Sequence, residues 1–115
     1  MRLLGFNAKT GIIQELPVAD NEIATIHNFF AASGSGQISR CFHALSSGLG
    51  VIYDSNTSNA QSALCTEKCD FPYNAVIAKY NDDTEQYGDI TKVELSQLMD
   101  DLVIKNMRKE GHLLI

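Results

Sequence analysis

Cysteine, proline and positive charge are all scarce in this chain of 115 residues, which holds three Cys, two Pro, and nine Lys and Arg against fourteen Asp and Glu. A low and odd cysteine count excludes the disulfide-stapled scaffold of small secreted domains. Two prolines and eight glycines leave no collagen-like repeat. An apolar fraction of 44% with 20% charged residues excludes a coiled-coil rod or a disordered tail. No run of about 18 apolar residues occurs, so no membrane-spanning helix is expected. The apolar start Met1–Asn7 is too short for a secretory signal, and a soluble cytoplasmic protein is expected. The shortage of cations argues against direct binding of nucleic acid, which requires clustered Lys and Arg to neutralise phosphates.

What remains is enough apolar material for one core, and a single α+β domain over 1–115 is expected. The negative charge is concentrated. Between Asn81 and Asp101 stand Asp82, Asp83, Glu85, Asp89, Glu94, Asp100 and Asp101 against Lys92 alone, so one stretch carries the whole imbalance. An acidic run is often only a solvated face, but its concentration here points to a basic partner.

Read along the chain, the pattern predicts a mostly antiparallel sheet of four to five strands, two to three helices, and a long C-terminal helix. Arg2–Asn7 and Ile12–Leu16 read as a hairpin around Ala8–Gly11, with Gly11 available for positive φ. After Pro17, Asp20 is placed to cap a helix through Ser33, with Ile23, Ile26, Phe29 and Phe30 on its apolar face and His27 inside that stripe. Ile38, Cys41, Phe42 and Leu45 fall at helical spacing, which favours a helix over Gln37–Ser47 between Ser35 and Gly48. A strand is the other reading, since both faces hold apolar residues.

Val51–Tyr53 predicts a strand, Asp54–Asn59 a loop of side chains bonding their own backbone, and Ala60–Thr66 a short helix. Ala75-Val76-Ile77-Ala78 is apolar on both faces and predicts the centre of the sheet, while the polar run Thr84–Ile90 suits an edge. Thr91 and Glu94 form a capping box for a helix over Lys92–Glu110. Its side chains divide into two patches. Leu95, Leu98, Met99, Leu102 and Val103 share one stripe, whereas Val93, Ile104 and Met107 fall on the other side. One core cannot cover both, so the helix either bends near Ile104 or offers the second patch to the ending Leu113-Leu114-Ile115 or to a second subunit. Ile104, Met107, Leu113 and Leu114 are thus candidate homodimer contacts.

Four constellations could carry chemistry. Cys41, His43, Cys65 and Cys69 supply a zinc-competent donor set, but a helix through 37–47 would point Cys41 and His43 apart, and no metal or other cofactor is expected. The same divergence weakens a Cys41–His43 nucleophile. Asp54–Asn59 resembles a calcium loop but has Asn59 where Gly is needed and Cys65 where a bidentate Glu is needed. Ser33, Gly34, Ser35, Gly36 and Arg40 could bind an anion at a helix start.

With no acid and base pair in credible geometry, catalysis is not expected. The leading expectation is a small acidic binding protein that neutralises a basic protein of the nuclease or nucleic-acid-binding effector kind, as immunity proteins and phage anti-defence proteins do. Asp82, Asp83, Glu85, Asp89, Asp100 and Asp101 would form its contact surface. The alternative is a homo-oligomeric protein sequestering an anionic metabolite or nucleotide at 33–40.

Overall fold

The computed structural model describes residues 2–18, 21–33, 37–67, 69–81 and 83–106. In chain order its elements are β1 (Leu3–Asn7), β2 (Ile12–Glu15), α1 (Glu22–Ala32), β3 (Arg40–Ala44), β4 (Gly50–Asp54), β5 (Ser62–Thr66), β6 (Cys69–Phe71), β7 (Ala75–Asn81), β8 (Gln86–Gly88), α2 (Lys92–Asp101) and β9 (Val103–Asn106). The class is α+β with antiparallel sheets, as expected, but the described residues form nine strands and two helices rather than four to five strands and two to three helices. Two sheets share the strands. One runs β2-β1-β7-β4-β3 with β8 paired to β7, and the other runs β6-β5-β9.

The first hairpin forms where its turn chemistry lies. Gly11 adopts φ +74, and the Asn7 side chain accepts from the backbone N–H groups of Lys9 and Thr10. β7 is the centre of the first sheet, because Ala75–Ala78 pair with β1 on one side and with β4 on the other. Its alternating residues feed two cores. Val76 and Ala78 join Leu3 and Ile52 beneath Ile26 and Phe30 of α1. Ala75 and Ile77 join Leu4, Phe6 and Val51 against Leu64 and Phe71 of the second sheet, with Ile90 and Leu98 from the α2 region. The first sheet is therefore sandwiched, with a helix on one face and the second sheet plus α2 on the other.

Four expectations are corrected. The segment 37–47 holds strand β3, in register with β4 from Arg40↔Asp54 to Ala44↔Gly50. Apolar residues on both faces of that strand imitated helical spacing. Ala60–Thr66 is no helix either, since Ser62–Thr66 form β5, buried throughout as the middle strand of its sheet. The C-terminal helix stops at Asp101, and Val103–Asn106 turn back as β9 along β5. This resolves the two-patch conflict: Leu95 and Leu98 pack on the core from the helix, while β-branched Val103 and Ile104 belong to a strand. Finally, α1 is capped by Asn21, whose side chain accepts from Ala24 N, and His27 and Ile23 on it are exposed. Asp20 lies outside the described residues, as do 107–115.

Candidate functional site

Where the two sheets meet the end of α2, three polar turns converge. Glu67 occupies the turn between β5 and β6 at φ +50. Its carboxylate accepts from the backbone N–H of Ser46 at 2.9 and 3.1 Å and from the Ser46 hydroxyl at 2.8 Å. Asp101, the last residue of α2, accepts from the Thr66 hydroxyl at 2.9 Å and from the backbone N–H of Glu67. Asp101 thereby holds the β5–β6 turn, and that turn holds the one between β3 and β4.

These residues line a cleft of about 600 Å³, together with Ser47, Gln97 and the core residue Leu98. Among the described residues no Lys or Arg lines it. The described lining residues are one-sided in charge. Asp100 and Asp101 sit at the end of α2, where carbonyl groups already concentrate negative potential, and no basic residue occupies the last turn. Charge-assisted hydrogen bonds stabilise Asp101 there, and Glu67 adds a further carboxylate to the same cleft.

The remaining acids of the 81–101 stretch are dispersed over different surroundings. Asp83 and Glu85 are exposed at the tip between β7 and β8, Glu85 at φ +54. Asp82 lies outside the described residues. Asp89 is paired with Arg2 at 3.3 Å. Glu94 is bonded to Lys79 at 3.1 Å and closes the capping box with Thr91. The Thr91 backbone N–H, then the Lys79 ammonium and the Thr91 hydroxyl, hold the Glu94 carboxyl below its ordinary range.

The thiols are only partly assembled. Strand β3 puts Cys41 and His43 on one face, but the sulfur near His43 Nε2 is that of Cys69, at 3.9 Å. Cys41 lies instead beside Tyr53, whose hydroxyl pKa is raised by burial first and by the Cys41 thiol second. Cys65 stands opposite Asp70 across the β5–β6 ladder. Among the described residues no three His, Cys, Asp or Glu side chains form a metal-binding group. The Cys41–His43 nucleophile likewise has no support, because the imidazole contacts a different sulfur.

Asp54 behaves as an Asx-turn residue. Buried completely, it accepts from the N–H groups of Ser39 at 2.9 Å and Asn56 at 3.0 Å. Among the described residues no helix starts within the expected 33–40 segment. Ser33 is the buried C-cap of α1, with its hydroxyl donating to Phe29 O, and Arg40 opens a strand, whereas Gly34, Ser35 and Gly36 lie outside the described residues. Of the expected oligomer contacts, Ile104 is exposed on β9, while Met107, Leu113 and Leu114 lie outside the described residues.

Sequence reasoning named Asp100 and Asp101 but missed Glu67, Ser46, Ser47 and Thr66. The signal was present as Thr66-Glu67-Lys68-Cys69, a polar tetrapeptide fit for a hairpin turn, and a helical reading of 60–66 concealed it. Comparison with family models, with curated proteins and with solved structures finds no match. No described helix is long and apolar enough to cross a membrane.

Proposed function

We propose that the protein is a small, non-catalytic acidic module that neutralises a basic protein partner, by accepting a Lys or Arg side chain in the cleft between Glu67 and Asp101. The observation that carries this reading is two carboxylates fixed by hydrogen bonds at the carbonyl end of α2, in a cleft lined by no described cation. A preorganised anionic cleft binds a guanidinium without first ordering its own side chains. Both carboxylates are committed to backbone and hydroxyl donors, which suits recognition better than proton transfer.

Asp83, Glu85 and Asp100, all exposed, would add long-range attraction and accelerate encounter with a cationic surface. Such a surface is typical of nucleases and other nucleic-acid-binding effectors, and the mode of action proposed is that of immunity-type and anti-defence antagonists.

The test compares the wild-type chain with Glu67→Gln and Asp101→Asn together, two changes that remove the charge and keep one acceptor oxygen at each position. Immobilised wild type should retain a basic protein from its native lysate that the double variant does not. With that partner purified, the association rate should fall steeply as salt rises, and the double variant should bind at least about tenfold more weakly. Equal affinity of the two chains would overturn the reading.

A further inference from the structure

The face of the first sheet that carries α1 is left open towards β3 and β8, and a groove of about 270 Å³ occupies the opening. Ile52 forms part of its lining, and Phe42, Tyr80, Tyr87 and Arg40 surround it. Phe42 is 54% exposed, and its ring lies over Gly50, so close that a Cβ there would meet the ring edge at 2.3 Å. Tyr80 and Tyr87 are cross-strand partners whose rings tilt against each other at 4.9 Å. Phe42 is exposed beside the half-buried Tyr80 and Tyr87, so the opening presents aromatic surface on which a planar group can stack.

Arg40 supplies the charge. Among the described residues its guanidinium has no hydrogen-bond or ion-pair partner, in contrast to Arg2, Lys79 and Lys105, each of which meets a carboxylate. Among the described residues no carboxylate lines the groove. Burial, and after it the neighbouring Tyr80, raises the pKa of the Tyr87 phenol, with Arg40 opposing and Glu22 adding to the rise.

We propose that this groove binds a planar aromatic anion of the size of a nucleoside monophosphate, with its ring stacked on the Phe42, Tyr80 and Tyr87 platform and its anionic group on Arg40. Charge complementarity selects an anion, and the planar guanidinium offers paired donors to a phosphate or carboxylate. The volume suits one ring system and its charged group. A longer polyanion is disfavoured because the hairpin that supplies both tyrosines carries Asp83 and Glu85 at its tip. The groove shares no lining residue with the acidic cleft, so each site is tested without the other.

The chain has four Tyr and no Trp, so tyrosine emission reports directly on a site that contains two of them. Adenosine monophosphate and 1-naphthoate are titrated into the full chain, with adenosine and inorganic phosphate as the separated halves of the first probe. Saturable quenching by at least one of the two anions is expected, weakened at least about tenfold in Arg40→Ala and less in Arg40→Lys. Adenosine and phosphate should each bind at least about tenfold more weakly than the monophosphate. Arg40 is exposed on an edge strand, so thermal unfolding of Arg40→Ala should match wild type and separate lost binding from lost folding. Binding of neither anion would overturn the proposal, as would equal binding by Arg40→Ala or equal binding of adenosine.

Discussion

At the scale of single residues, several carboxylates tie elements together, and each does it differently. Asp54 organises a loop from inside the protein, Asp101 ties a helix end to a turn, and Glu94 joins a helix start to Lys79 of the central strand. Glu94 has a consequence for pH. Its folded-state pKa lies below the ordinary value of 4.5, so its contribution to stability is fully present above that value and is lost as pH falls through the depressed one. Asp70 acts in the same direction, held down by the Cys65 thiol and then by Lys105 against the opposing effect of desolvation. The urea midpoint should therefore decline as pH falls below the ordinary carboxylate values of 4.5 and 3.8. Glu94→Gln, which removes the titrating group, should flatten that decline, and an unchanged profile in the variant would show that the capping box is not a source of acid sensitivity.

At the scale of elements, local chemistry was legible wherever it was self-sufficient. Gly11 with Asn7, the Thr91–Glu94 box, and the doubly apolar Ala75–Ala78 each announce their structure without reference to distant residues. β3, β5 and β9 do not. Each is a strand only because a partner runs beside it, and for β5 and β9 the pairing joins residues 62–65 to 103–106. A helix-like spacing such as that of Ile38, Cys41, Phe42 and Leu45 has no competitor until the ladder to β4 is known. The same reason hid Glu67 from the candidate site, and it made Arg40 a candidate on an argument, the helix start, that the fold removes. The groove aromatics Phe42, Tyr80 and Tyr87 carried no signal, because only sheet register brings them together. A strand in place of the last helical turns is directly testable. Lys105→Pro deletes a donor and constrains the backbone within β9. Hydrogen exchange should then accelerate at amides of Ser62–Cys65 while those of Ala75–Ala78 stay protected, whereas a helix through 110 would leave β5 untouched.

At the scale of the whole molecule, two differently charged surfaces lie on separate parts of one small fold. The acidic cleft forms where the second sheet and α2 meet the turn after β3, and the aromatic groove forms on the opposite face of the first sheet, beside α1. The central strand β7 underlies both, since its alternate residues belong to the two cores. Pairing of β7 with residues 3–6 also sets a timetable for the growing chain. The first hairpin can close early, but its apolar faces have no lasting cover until residues 75–78 have emerged, and β5 gains its second neighbour only with residues 103–106. The core beneath α1 therefore cannot close before Val76 and Ala78 have emerged, and the other waits for Ile90 and Leu98. Folding dominated by such distant pairings falls in the millisecond-to-second range rather than the microsecond range of local bundles. Stopped-flow refolding should show that slow regime, and chains truncated before residue 75 should remain unfolded and expose the apolar faces of β1 to association.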